Sequence, residues 1–327
     1  MARVLSGIQP SGDLHLGNYF GAVRNWVAAQ HEADALYCIV DLHALTLPIE
    51  PDVLRSQTLD AACVLLAAGL DPARCTLFVQ SHVPAHQQLT WLLECTATMG
   101  ELRRMTQFKD KGGGQESVSV GLFTYPVLMA SDILLYDADQ VPVGDDQRQH
   151  LELTREIALR FNYRYGKTFT VPEAAIPAIG ARVMDLQHPE RKMSKSVGSP
   201  LGTVGILDSA EEIQRKVKKA VTDTESDVRY DAIAKPGITN LLSLLGAATD
   251  RQPEELAASY DRYGDLKRDV ADALIACLAP LQRRYAEFEA DRAEVARILT
   301  AGSSSARELA DATYARAAAA VGLLSPS

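Results

Sequence analysis

Short apolar runs recurring between helical stretches constrain the fold of this chain more tightly than any other feature. Val4-Leu5, Ala35-Leu36-Tyr37-Cys38-Ile39-Val40, Thr76-Leu77-Phe78-Val79-Gln80 and Asp139-Gln140-Val141-Pro142-Val143 each read as a strand. The second and third are apolar without alternation, the mark of a strand covered on both faces. Helical periodicity fills the gaps. It runs from about Gly17 to His31, from Pro51 to a glycine stop at Gly69, from about His86 to Met99, and from Thr124 to Tyr136 with Pro126 in its first turn. Strands alternating with helices at this spacing predict a parallel sheet with right-handed crossovers. A further helix is expected from Gly144-Asp145-Asp146-Gln147 to about Phe161. From Asp208 onward strand signals stop. Helices are expected over Glu211 to Val221 and over about 236–247, 253–260, 264–288, 291–301 and 303–321, with a boundary near Thr203–Asp208.

A chain of 327 residues with 47% hydrophobic and 23% charged residues has the composition of an ordinary globular protein. It contains no apolar run of about 18 residues, and its start lacks a signal peptide's apolar core, so the cytoplasm is the expected location. Five scattered cysteines form no C-x-x-C pair. Disulfides, zinc and iron–sulfur clusters are not expected, and the cysteines read as small buried hydrophobes. A net charge of −9 argues against a general nucleic-acid coat, while a local basic patch remains open.

Chemistry concentrates at a few points. Gly7-Ile8-Gln9-Pro10-Ser11-Gly12-Asp13-Leu14-His15-Leu16-Gly17-Asn18 reads as strand end, tight turn and helix start. A helix start offers unpaired N–H groups and the positive dipole end, which suits phosphate; an ordinary turn fits the same residues. His15 and Asn18 point the same way, and Gly17 between them permits close approach. His43 follows a strand's carboxyl end, where ligands sit in open α/β sheets; a structural histidine is the alternative. Arg103, Arg104, Lys109 and Lys111 precede Gly112-Gly113-Gly114, either a solvated loop or a hinge whose lysines reach a polyphosphate. Tyr125, Met129, Asp132 and Ile133 share one helical face, and a carboxylate there needs either a protein donor or a ligand N–H. Asp146 and Gln147 face the same crevice or merely cap a helix.

His15-Leu16-Gly17-Asn18 and the downstream Lys192-Met193-Ser194-Lys195-Ser196 resemble the HIGH and KMSKS signatures of class I aminoacyl-tRNA synthetases. Gly7–Gly12, Arg104–Lys109, Asp132–Tyr136 and Val141–Gln147 resemble segments of bacterial tryptophanyl-tRNA synthetases in particular, and the likeness extends over nearly the whole chain. The resemblance implies a Rossmann-like doubly wound catalytic domain over 1–205 with a helical insertion at about 101–140. It also implies a helical anticodon-binding domain over 206–290 and C-terminal helices over 291–327 packing back on the catalytic domain. Gln9, Pro10, Ser11, Gly17 and Asn18 match ATP positions, and Gly144, Asp145, Asp146 and Val183 match positions around ribose and adenine. Lys192, Met193, Ser194, Lys195 and Ser196 match the loop on the pyrophosphate, and Lys111 its helper. Asp132 matches the carboxylate that accepts the indole N–H, and Gln147 and Tyr125 match residues near the ammonium group. Met129, Val141 and Val143 match pocket walls, with Val40, His43 and Leu5 beside them.

The implied reaction joins tryptophan to ATP, giving tryptophanyl-adenylate and pyrophosphate, and then passes tryptophan to the 2′-OH of the terminal adenosine of tRNA. His15, Asn18, Lys111, Lys192 and Lys195 would neutralise the developing charge. Mg2+ would arrive with ATP, and a homodimer is also implied; the basic segment with Arg215, Lys216, Lys218 and Lys219 either holds the tRNA backbone or is a solvated helix face. Two positions depart from the family: Val197 stands where Asp is common, and Leu5 where an aromatic is common. A tyrosyl-type synthetase, a nucleotidyltransferase that charges no tRNA, and an auxiliary tryptophan-binding paralogue are the competing readings.

Overall fold

The computed structural model describes residues 1–10, 12, 14–106, 118–142, 147–175, 183–194 and 200–324. Ser11, Lys111, Val143, Gly144, Asp145, Asp146, Lys195, Ser196 and Val197 lie outside the described residues.

The centre is a five-stranded parallel sheet of β1 (Arg3–Ile8), β2 (Asp34–Ile39), β3 (Thr76–Val79), β4 (Gln140–Pro142) and β5 (Glu173–Ala175), in the order β3-β2-β1-β4-β5. Strand order therefore reverses between β1 and β4, which opens a crevice outside their carboxyl ends. The continuous apolar run of β2 is buried from Ala35 to Ile39, because helices cover both faces of the sheet. Tyr37 fits there because its ring stacks on Trp26 at 4.9 Å and its hydroxyl donates to the Trp26 carbonyl at 2.8 Å. β5 carries no apolar run and had no signal in the sequence.

The helical segments depart from expectation in several places; the one expected from about His86 to Met99, for instance, ends at Glu94, and a separate helix starts at Met99. The chain from Leu16 to Ala29 is helical but contains a π turn over Tyr19–Val23. Helix Val120–Leu134 starts a turn earlier than expected, because the Ser119 hydroxyl accepts from Leu122 N–H; Pro126 is thus inside the helix rather than in its first turn. Helix Arg148–Tyr165 runs past Phe161 to a Gly166 terminus with φ 94°. The expected break between 301 and 303 is absent, and Arg292–Ala320 is one helix. Gly302 sits inside it because the helix backbone presses on β3: a Cβ at Gly302 would lie 1.9 Å from the Leu77 carbonyl oxygen. The other α-helices among the described residues are Asp41–Ala44, Pro51–Ala68 with Gly69 at φ 116°, Ala85–Glu94, Met99–Arg103, Ala210–Lys218, Pro236–Thr249, Pro253–Ala257 and Tyr263–Ala290. Cys38, Cys63 and Cys75 are buried as small hydrophobes, whereas Cys95 is exposed. Among the described residues no helix is long and apolar enough to cross a membrane.

One half-buried ion pair ties the helix Met99–Arg103 to the helix Arg148–Tyr165. The Arg160 guanidinium forks onto both Glu101 carboxylate oxygens, and Thr98 donates to the same group. These donors, Arg160 foremost, lower the Glu101 pKa from 4.5 to about 2. Because the folded value lies below the unfolded one, the stabilisation is complete above pH 4.5 and disappears as pH falls toward 2. Acid titration of stability should lose on the order of 2 kcal/mol across that window, and Glu101→Gln should flatten the loss. Unfolding midpoints measured from pH 5 to pH 2 on both proteins test this; parallel curves would refute it.

Candidate active site

The crevice between β1 and β4 is walled on one side by the chain that leaves β1. Gln9 emerges exposed and Pro10 is buried. His15 then starts the helix with reciprocal caps: its Nδ1 accepts from Gly17 N–H at 3.1 Å, and Asn18 Oδ1 accepts from His15 N–H at 3.1 Å. The His15 ring consequently lies over Gly17, where a Cβ would come within 2.9 Å of it. Both side chains named by the sequence are held in place by the backbone they cap.

A distant segment closes against this helix start. Leu16 N–H donates to the Val204 carbonyl and Ile206 N–H to the Leu14 carbonyl, both at 3.0 Å, in an antiparallel bridge centred on His15 and Gly205. Asp208 Oδ2 accepts from Gly205 N–H at 2.8 Å and pairs with Lys216 Nζ at 2.5 Å. Lys216 is buried in that pair, which removes it from the expected basic surface; Arg215, Lys218 and Lys219 stay exposed. Upstream, Met184 bridges Lys192, and Met193 N–H donates to the Val183 carbonyl at 3.1 Å. Asn240 clamps Met184 from the helix Pro236–Thr249, at 3.0 Å to its N–H and 2.9 Å to its carbonyl. Lys192 is exposed, while Val183 and Met193 are buried. The Met193 Cβ would be 3.7 Å from a Cβ on Gly17. Thus the His15–Asn18 and Lys192–Ser194 segments stand side by side.

Deeper in, helix Val120–Leu134 turns Tyr125, Met129 and Asp132 toward the sheet. Asp132 is 5% exposed, and its carboxylate is held by three side chains from other elements. Gln80 Nε2 donates to Oδ1 at 2.6 Å, His86 Nδ1 lies 2.6 Å from the same oxygen, and His43 Nε2 lies 2.7 Å from Oδ2. Burial alone would raise the Asp132 pKa, but His43 and His86 outweigh it and hold the carboxyl well below the usual range. An ionised carboxylate only accepts, so His86 donates to it from Nδ1, while its Nε2 lies 2.8 Å from the Tyr136 hydroxyl. A carboxylate offers about four acceptor positions, and these bonds among the described residues use three, leaving one on Oδ2. The Tyr125 hydroxyl lies 2.7 Å from His150 Nε2, and burial pushes its pKa up to about 12. Leu5 and Val141 are buried beneath the crevice in one core cluster, with Val40 and Met129 partly buried against it. Gln147 is the N-terminal flanking residue of helix Arg148–Tyr165.

Residues 1–279 match the family model described as "tRNA synthetases class I (W and Y)". The chain belongs to that family. A curated relative from Streptomyces coelicolor, named tryptophan–tRNA ligase 1, is 51% identical across 100% of this chain and 98% of its own length. The crystal structure of tryptophanyl-tRNA synthetase from Mycoplasma pneumoniae superposes with a TM-score of 0.92 at 35% identity, covering 99% of this chain and 98% of that one. The Campylobacter jejuni enzyme, solved with ADP and tryptophan, gives 0.86 at 35% identity over 98% and 100%. Within the family the chain thus falls among the bacterial tryptophanyl members.

Reading the sequence missed Gln80, His86 and His150. Gln80 ends the β3 run just as His43 follows β2, so the same argument applied to it would have found it. His86 shares a helical face with Leu89 and Leu93, a polar group on an apolar stripe like Asp132. His150 shares a face with Leu153 and Ile157 on the helix Arg148–Tyr165 and carries the same signal.

Proposed function

We infer that this protein is a tryptophan–tRNA ligase, which activates tryptophan with ATP and transfers it to tRNA. The observation that carries the reading is the joining of Leu14–Leu16 to Val204–Ile206, which sets the helix start at His15 beside Lys192 over the sheet's switch point. The tryptophan carboxylate attacks the α-phosphate of ATP. It is already ionised, so positioning and positive charge suffice and no general base is needed. His15, Asn18 and the backbone around Gly17 meet the phosphates, and Lys192 brings a mobile point charge, with Lys111 and Lys195 as its sequence-assigned partners. Gln9, Pro10, Ser11, Gly144, Asp145, Asp146, Val183, Met193, Ser194 and Ser196 complete the ATP site on the family pattern. Mg2+ carried on the ATP phosphates would supply further positive charge there. His, Asn, Lys and backbone amides among the described residues suit phosphate oxygen rather than a bare cation.

Asp132 Oδ2 accepts the indole N–H, Met129, Val40, His43, Leu5, Val141 and Val143 shape the slot, and Tyr125 and Gln147 meet the ammonium group. In the second step the 2′-OH of the terminal adenosine attacks the acyl carbonyl. The division at 205 and 290 assigns the helical part to the anticodon, with Arg215, Lys218 and Lys219 on the tRNA backbone. A cytoplasmic homodimer fits this reading. Leu45, Thr46, Thr90, Gly121 and Tyr125 line a cavity of about 240 Å³ flanked by exposed Leu47, Trp91 and Val120, an apolar seat for a second copy.

Tryptophan-dependent ATP–pyrophosphate exchange, with tyrosine and phenylalanine as controls, tests the activation step. Exchange with tyrosine alone would replace the reading with its tyrosyl counterpart. Gly17→Ala should push the His15 ring aside and cut exchange about tenfold or more while the unfolding temperature holds; unchanged exchange would remove His15 from the phosphate site.

A further inference from the structure

The acceptor carboxylate is tied to the far end of the chain through a short turn. Gln80 is fully buried and works in two directions: its Nε2 donates to Asp132 Oδ1 at 2.6 Å, and its Oε1 accepts from Leu42 N–H at 3.2 Å. Leu42 lies in the helix Asp41–Ala44, which carries His43, the second partner of Asp132. Ser81, next along, donates through both its N–H and its hydroxyl to the Asp41 carboxylate that starts the same helix. His82 then meets the C-terminal helix Arg292–Ala320. Its Nδ1 lies 3.3 Å from the buried Ser303 hydroxyl, and Arg307 donates to its carbonyl at 2.6 Å. That helix can reach the turn only because Gly302 lets its backbone touch β3 at Leu77. Residues 80–82 therefore connect three things: the carboxylate, the helix presenting His43, and a helix more than two hundred residues downstream in the sequence.

We propose that the C-terminal helix is a strut for amino-acid selection, with Gln80 as the positioning residue that orients Asp132 and with Ser303 and Arg307 holding the turn that carries Gln80. The proposal rests on the assignment of Asp132 as the indole acceptor. Gln80 and His86 together occupy Oδ1 and fix the plane of the carboxylate, so Oδ2 is the oxygen turned to substrate. A shift of the turn rotates that plane and also moves His43, which shares Oδ2. The nucleotide side of the crevice has separate supports, Gly205, Asp208 and Asn240, so the strut acts on the amino acid and not on ATP.

The test measures KM for tryptophan and KM for ATP by pyrophosphate exchange on the full chain, with thermal unfolding alongside. Gln80→Met should raise KM for tryptophan about tenfold with KM for ATP unchanged. Arg307→Ala, at an exposed position remote from the crevice, should raise it about three- to fivefold, and Arg307→Lys should restore part of the loss. In the Asp132→Asn background the Arg307→Ala effect should vanish, since the group it positions is gone. A damaging Asp132→Asn beside neutral Gln80→Met and Arg307→Ala would overturn the strut alone. A neutral Asp132→Asn would overturn the acceptor assignment and the strut with it. Equal rises in both KM values would reduce these residues to general structural support, against the proposal.

Discussion

Asp132→Asn is expected to lower kcat/KM for tryptophan activation about 100- to 10,000-fold while leaving KM for ATP within about twofold. Asn keeps the volume but replaces one acceptor oxygen with a donor. Whichever way the amide turns, its NH2 faces donors: Gln80 and His86 on one side, His43 on the other. The surrounding groups were arranged around an ionised carboxylate that burial disfavours and two histidines restore, so the change leaves buried donors without an acceptor. The same logic sets selectivity. Phenylalanine brings no N–H for the remaining position on Oδ2 and leaves it desolvated and unpaired, whereas tryptophan fills it. Steady-state exchange kinetics over tryptophan and ATP separate the two constants. Equal loss of both would mean that Asp132 supports the whole crevice rather than recognising the amino acid.

Gly302→Ala is expected to destabilise the protein on the order of 3 kcal/mol, although alanine is the better helix former by about 1 kcal/mol. The added methyl group would overlap the Leu77 carbonyl oxygen, and both partners are backbone, one in a long helix and one in a central sheet. Neither can yield as a side chain would, so the helix must lift off β3 and take its contacts with it. Gly264→Ala is the control: nothing lies within 4 Å of a Cβ there, so that variant should match or slightly exceed the parent. Urea unfolding midpoints of the three proteins decide the matter. A Gly302→Ala protein as stable as the Gly264→Ala control would show that helix and sheet are not locked together at this point.

The sheet was legible because β2 from Ala35 and β3 from Leu77 are buried on both faces and therefore apolar without alternation, a pattern visible without a partner. β5 was not, because Glu173-Ala174-Ala175 owes its strand conformation to pairing with β4 rather than to its own composition. Helix periodicity disclosed Asp132 as a carboxylate on an apolar face. It left open whether a protein donor or a ligand satisfied that group, and among the described residues the structure finds three protein partners, with one acceptor position remaining. His15 and Asn18 were legible as a pair, but their reciprocal capping was not, since it depends on the backbone angles of the helix start.

The sequence by itself determined the alternation of strands and helices, the groups able to meet phosphate, and the one carboxylate set among apolar neighbours. Those properties are local: they follow from residue type and from periods of two and 3.6 residues. Tertiary structure alone decided that Val204–Ile206 pairs with Leu14–Leu16, that Gln80 and His86 converge on Asp132, and that Gly302 continues a helix instead of ending one. Each joins residues far apart in the chain, and such contacts form where burial and backbone pairing outweigh local preference, a balance no single stretch of residues contains.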